Sequence, residues 1–94
     1  MPNVGIAILN DDYTPMDFVI DVLEQHFRFS RDDATRTTLA IHEQGGAIVA
    51  KLVERNAIET VVAVNGRAAS AGHPFTCKLA NEFDEQRYPS TLQW

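Results

Sequence analysis

Short apolar runs alternate along this chain with segments in which apolar residues recur every three or four positions. The runs have strand length and predict three β-strands, at residues 4–9, 47–53 and 75–80. The helical spacing predicts three helices, at residues 15–27, 31–44 and 57–71. This order favours an α/β (α+β) two-layer sandwich, β-α-α-β-α-β, with three helices on one face of a three-stranded, antiparallel sheet.

Residues that are common at helix ends and in turns separate these segments. Thr14 and Pro15 suit the cap and the first position of the first helix, where the missing N–H of proline costs nothing. Ser30 is a second cap candidate, and Gly45 stands where a glycine commonly ends a helix. Residues 54–56 predict a turn between the second strand and the third helix.

The 94 residues divide into a core and a tail. Residues 1–80 hold all the predicted elements and form one small domain. Residues 81–94 are polar and acidic, so we expect an irregular, flexible C-terminal tail.

Charge and composition exclude several classes of protein. The net charge is −5 and no basic cluster occurs, which argues against nucleic-acid binding and mildly favours cationic or amine-bearing partners. Cys77 is the single cysteine, so an internal disulfide cannot form and a reducing compartment is expected. No apolar stretch approaches the roughly 20 residues of a membrane span, and no signal peptide is recognisable. We therefore expect an intracellular protein without a membrane partner.

Candidate chemistry is concentrated where the first strand ends. Asn10, Asp11 and Asp12 follow that strand directly and precede an amphipathic helix, so hydrogen-bond acceptors stand beside apolar surface. Such a site suits a ligand that is cationic at one end and apolar beside it. The alternatives are a solvated turn that only caps a helix, a metal- or phosphate-binding domain that uses the Asp11–Asp12 pair, and a metal-dependent hydrolase that adds His42 and His73.

Residues 9–19, Leu-Asn-Asp-Asp-Tyr-Thr-Pro-Met-Asp-Phe-Val, resemble the signature of ClpS, the adaptor family of Clp AAA+ proteases. The resemblance covers residues 4–79, and further matches occur at residues 20–23, 40–42, 58–60 and 73–79. Its most specific part is the Asn-Asp-Asp-Tyr-Thr-Pro-Met block followed by His42.

The resemblance implies an adaptor rather than an enzyme. ClpS proteins recognise N-degrons, which are substrates whose first residue is Phe, Tyr, Trp or Leu with a free α-amine. They pass these substrates to the ClpA or ClpC unfoldase, which feeds the ClpP peptidase. The resemblance therefore implies no catalytic residues, no cofactor and no metal, and a monomer in the bacterial cytosol or the plastid stroma.

The resemblance also implies a role for each candidate residue by its position. Four residues would bind the α-amine: Asn10, Asp12 and His42, with Asp11 beside them. Six residues would line the pocket for the first side chain: Thr14, Met16, Val19, Thr38, Ile41 and Phe75.

This chain departs from the family pattern at several positions. Thr38 replaces a usual methionine and Phe75 a usual leucine, so we expect a reshaped pocket with altered discrimination between first residues. Val61 replaces a lysine on the surface thought to face the unfoldase. Family members typically carry a flexible N-terminal extension, whereas nine residues precede Asn10 here, and on that basis we expect weak delivery of bound substrates.

Overall fold

Seven secondary-structure elements lie within residues 2–91, the part of the chain that this computed structural model describes. In chain order they are β1 (Asn3–Leu9), α1 (Met16–Phe27), α2 (Arg31–Gln44), β2 (Gly46–Val53), α3 (Glu54–Ser70), β3 (Thr76–Leu79) and α4 (Glu82–Arg87). The strand order is β2-β1-β3, and β1 pairs antiparallel with both neighbours. The predicted antiparallel sheet and the order β-α-α-β-α-β are therefore confirmed.

The main core lies between the sheet and the helices α1–α3. Ile6 and Ile8 of β1 project from the sheet into this core and are fully buried with Leu23 of α1 and Val64 of α3. Complete burial of an aliphatic side chain of this size contributes about 1.5–3 kcal/mol. Packing in this core fixes the ends of β1, α1 and α2 in position relative to one another. Within residues 2–91, none of the helices has the length and apolar character needed to cross a membrane.

The start of α1 differs from the prediction by one position. Pro15, not Thr14, occupies the cap position, and its carbonyl accepts the N–H groups of Phe18 and Val19 at 3.1 and 3.3 Å. The Thr14 hydroxyl donates instead to the Asp11 carboxylate at 2.8 Å. Thr14 therefore belongs to the loop before the helix, where it stabilises the loop rather than the helix end.

The ends of α2 and the start of α3 can also be compared with the boundaries predicted from the sequence. The predicted bounds of α2 are confirmed, because the Ser30 hydroxyl accepts the Asp33 N–H at 3.1 Å and Gly45 ends the helix with a φ of 88°. The turn predicted at residues 54–56 is wrong. These residues form the first turn of α3, which follows β2 without a loop and has Val53 at its cap position.

Residues 81–91, which we call the C-terminal segment, also depart from the prediction. An irregular tail was expected, yet residues 82–87 form α4. Asn81 and Asp84 form a reciprocal capping box, in which each side chain accepts the backbone N–H of the other at 2.9 and 3.0 Å. The last three residues of the predicted tail, 92–94, lie outside the described residues.

The C-terminal segment crosses the face of the sheet that α1–α3 leave uncovered. It leaves β3 at one edge and reaches β2 at the other, where Ile48 donates its N–H to Pro89 at 2.8 Å and accepts that of Thr91 at 2.9 Å. Ala7 and Ile48 are buried on this second face, outside the main core. Three helices on one face are thus accompanied by a short fourth helix on the other.

Candidate functional site

A cavity of about 170 Å³ opens where β1 ends, between α1 and α2. All ten residues that the sequence nominates line it, together with one further residue. The lining consists of Leu9, Asn10, Asp11, Asp12, Thr14, Met16, Val19, Thr38, Ile41, His42 and Phe75. Residues from β1, the loop after it, α1, α2 and the loop before β3 therefore meet in one concave site.

The mouth of the cavity is polar. Asp12 and His42 are exposed, and Asn10 is half-buried. The Asn10 N–H donates to the Gly45 carbonyl at 3.0 Å, which ties the loop after β1 to the end of α2, one turn beyond His42. Among residues 2–91, the side chains of Asn10, Asp12 and His42 have no hydrogen-bond partner. Their acceptor atoms are therefore available to a ligand.

Asp11 has a different environment from Asp12. Its carboxylate accepts the N–H groups of Tyr13 and Thr14 at 2.9 and 2.7 Å, and the Thr14 hydroxyl at 2.8 Å. Burial alone would raise the pKa of this carboxyl. The bonds from Thr14 and Tyr13, together with the nearby His73, hold the pKa below its usual value instead. Asp11 thus stabilises the loop through these hydrogen bonds. Its expected position beside the residues that would bind the α-amine is a separate role.

The base of the cavity is apolar. Val19, Thr38, Ile41 and Phe75 are all at most 8% exposed, whereas Met16 at the lip is 45% exposed. The Thr38 hydroxyl donates to a carbonyl of its own helix at 2.8 Å, so the pocket need not supply it with a partner. Polarity therefore rises from a buried, apolar base to an exposed, acceptor-rich mouth.

Leu9 is the lining residue that sequence reasoning missed. As the last residue of β1 it was assigned only to the strand, although it immediately precedes Asn10. Its adjacency to the polar block was the available signal, because the end of a strand that delivers a loop to a site also borders that site.

The metal-binding alternatives lack a ligand set in the described part of the chain. No three His, Cys, Asp or Glu side chains within residues 2–91 are arranged to share a metal ion. The His73 ring packs edge-on against Phe18, with ring centroids 4.7 Å apart. Cys77 lies in the main core, where burial raises the pKa of its thiol to about 12.

Fold and site together define a small ligand-binding domain. Its cavity suits a group that offers hydrogen-bond donors at one end and an apolar side chain at the other. A family model described as "ATP-dependent Clp protease adaptor protein ClpS" matches residues 1–78. A solved structure of ClpS2 from Agrobacterium tumefaciens bound to L-phenylalaninamide is similar, with a TM-score of 0.76 and 32% sequence identity. The match covers 84% of this chain and 98% of that one. The chain belongs to the ClpS family of Clp protease adaptors.

Proposed function

We propose that this protein binds the free α-amine and the bulky first side chain of N-degron substrates and delivers them to a Clp protease. Phe, Tyr, Trp and Leu are the first residues that it would accept. The observation that carries the proposal is the juxtaposition of Asn10, Asp12 and His42, three polar side chains without a hydrogen-bond partner among residues 2–91, with a buried apolar base. The ligand of the similar ClpS2 structure, L-phenylalaninamide, combines an α-amine with one aromatic side chain.

The polar mouth fits the chemistry of a chain terminus. A free α-amine has a reference pKa of about 7.7–8.0, so it is largely protonated at neutral pH and offers several donors with a positive charge. An internal peptide group offers one uncharged donor. Asp12 supplies a charge-assisted acceptor, and the side-chain carbonyl of Asn10 and a ring nitrogen of His42 would supply two more. Such an acceptor cluster distinguishes the start of a chain from its middle.

The apolar base fits one large side chain. A cavity of about 150 Å³ lined by aliphatic and aromatic residues accommodates a benzene ring. The whole cavity, base and mouth together, measures about 170 Å³, which is the scale of one large apolar side chain. Burial of such a side chain adds about 1.5–3 kcal/mol. A peptide that begins with a small or charged residue would not gain this free energy of burial. This difference is the basis of the proposed selection between first residues.

Delivery is the second half of the proposal. An adaptor carries out no chemistry on its substrate, so the unfoldase partner, ClpA or ClpC working with ClpP, performs the unfolding and cleavage. The site would act in the compartment of that protease, the bacterial cytosol or the plastid stroma. Membership of the Clp protease adaptor family supports this part of the proposal.

The experiment is a fluorescence anisotropy titration with peptides that differ only in their first residue. We expect tight binding of peptides that begin with Phe, Tyr, Trp or Leu, and weak binding of those that begin with Gly or Glu. His42→Ala should weaken the binding of every tight peptide, whereas Glu43→Ala, the same truncation at the neighbouring exposed residue outside the cavity lining, should not. Equal affinity across the panel would refute recognition of the first side chain.

Delivery requires a separate assay. Degradation of a reporter that begins with Phe is followed with reconstituted ClpAP or ClpCP, with and without this protein. Acceleration that depends on His42 supports delivery. Tight peptide binding without any acceleration by either protease would contradict delivery and leave recognition standing.

A further inference from the structure

We propose that the C-terminal segment holds the amine-binding end of the pocket in its binding geometry, with Tyr88 as the positioning residue. This inference rests on the proposed function, because it concerns the same site. It adds a residue that lies outside the cavity and beyond residues 1–78, the range that the family model matches.

The Tyr88 ring packs directly against the turn between α2 and β2. A Cβ atom placed on Gly46 would lie 3.1 Å from both Cδ1 and Cε1 of this ring, and one on Gly45 would lie 3.7 Å from Cε1. The same Cβ atom on Gly46 would lie 3.0 Å from the Ile8 carbonyl oxygen of β1. Ring, turn and strand are thus in close contact, and a side chain at Gly46 would force one of them to move.

The same turn carries the polar mouth of the pocket. The Gly45 carbonyl accepts the N–H of Asn10 at 3.0 Å, and the Gly45 N–H donates to Ile41 at 2.9 Å. His42 follows Ile41 in the last turn of α2. A displacement of the Gly45–Gly46 turn would therefore move Asn10 and His42 relative to each other. These are two of the three side chains proposed to hold the amine.

The C-terminal segment is fastened on both sides of Tyr88. Before it, Lys78 of β3 forms an ion pair with the buried Asp84 at 2.9 Å. The bond from the Asn81 N–H and the proximity of Lys78 keep the pKa of Asp84 below its usual value, so the pair persists at neutral pH. After Tyr88, Ile48 bonds to Pro89 and Thr91. These contacts fix the backbone on both sides of Tyr88, and this fixed backbone holds the Tyr88 ring against the Gly45–Gly46 turn.

The test is a double-mutant cycle with a free-amine peptide that begins with Phe. Tyr88→Ala should weaken binding roughly fivefold or more, within the about 2- to 30-fold range of coupling through packed side chains. Tyr88→Phe keeps the packing ring and should bind like the wild type. Phe83→Ala truncates an exposed aromatic of the same segment and should also bind like the wild type.

The cycle separates positioning from a general loss of stability. In a His42→Ala background, Tyr88→Ala should have a clearly smaller effect, because the group that Tyr88 positions is already absent. If Tyr88→Ala fails to fold, Asp84→Asn loosens the same segment through Lys78 and should also weaken binding.

Three results would overturn the inference. The first is that Tyr88→Ala binds the peptide with wild-type affinity. The second is that Tyr88→Ala lowers the affinity by the same factor in the wild-type and His42→Ala proteins. The third applies if Asp84→Asn replaces Tyr88→Ala in the test, and is that Asp84→Asn binds with wild-type affinity. A wild-type protein that binds no free-amine peptide would instead refute the proposed function itself, and the inference would fall with it.

Discussion

Replacing Asp12 by asparagine removes one negative charge from the mouth of the pocket and preserves the size of the side chain. The Asp12 carboxylate is exposed and has no hydrogen-bond partner among residues 2–91, so the fold does not depend on it. We therefore expect Asp12→Asn to leave the free energy of unfolding within about 0.5 kcal/mol of the wild type. Its effect should appear in binding alone.

The size of that effect follows from the chemistry of the amine. A hydrogen bond to a charged group contributes about 1.5–3 kcal/mol, and exposure at the mouth favours the lower half of this range. Asp12→Asn should therefore weaken the binding of a Phe-starting peptide about 10- to 40-fold. Because the lost term is electrostatic, the difference between the two proteins should shrink as the salt concentration rises.

The neighbouring carboxylate provides the contrast. Asp11→Ala removes the acceptor of three hydrogen bonds from Tyr13 and Thr14, so it should lower the free energy of unfolding by about 2 kcal/mol as well as weaken binding. Asp11→Asn keeps an acceptor for the two backbone N–H groups and should be milder. Urea unfolding and peptide anisotropy measure the two quantities. An Asp12→Asn protein that binds like the wild type, or that unfolds as easily as Asp11→Ala, would refute this division of roles.

Three further predictions concern the pocket base, the ligand charge and the scaffold. Thr38→Met should narrow the base and lower the affinity for Ile- and Val-starting peptides relative to Phe; identical rankings in a peptide panel would show that Thr38 does not set specificity. Affinity for a Phe-starting peptide should fall roughly 30- to 50-fold between pH 7 and pH 9.5, because the free amine loses its proton, and an unchanged affinity would argue against an ammonium ligand. Gly66→Ala should raise the free energy of unfolding by about 0.5–1 kcal/mol, since a Cβ atom there meets nothing within 4 Å, and a lower urea midpoint would contradict this.

Much of the fold could be predicted because its signals are local. The bounds of α2 follow from Ser30 and Gly45, which act within one turn of the helix ends. The strands follow from apolar runs. The polar block after β1 indicated one rim of the cavity, whereas the lining residues of α1 and α2 and Phe75 were implied by the resemblance to ClpS. The residue pattern by itself did not distinguish Asp11 from Asp12, and only the resemblance to ClpS placed Asp11 beside the amine-binding residues. Two adjacent carboxylates look alike until the backbone of the loop determines which one receives its N–H groups.

Contacts between distant residues explain what the sequence analysis missed. A six-residue helix such as α4 is too short to be stable alone, so its formation depends on the Lys78–Asp84 pair and the bonds at Ile48. The capping pair Asn81 and Asp84 was a usable local signal, of the same kind as the Ser30 cap. The spacing of apolar residues along the chain did not indicate that the C-terminal segment crosses the second face of the sheet.

The central claim, recognition of a free chain terminus, is tested most directly by titration calorimetry with one peptide in two forms. The peptide begins with Phe, and its twin differs only by an N-acetyl group, which removes the charge and leaves a single donor. The account predicts that the free form binds with micromolar or tighter affinity and that acetylation weakens binding by about 100-fold or more. Equal affinities for the two forms would contradict it, because Asn10, Asp12 and His42 would then not be reading the amine.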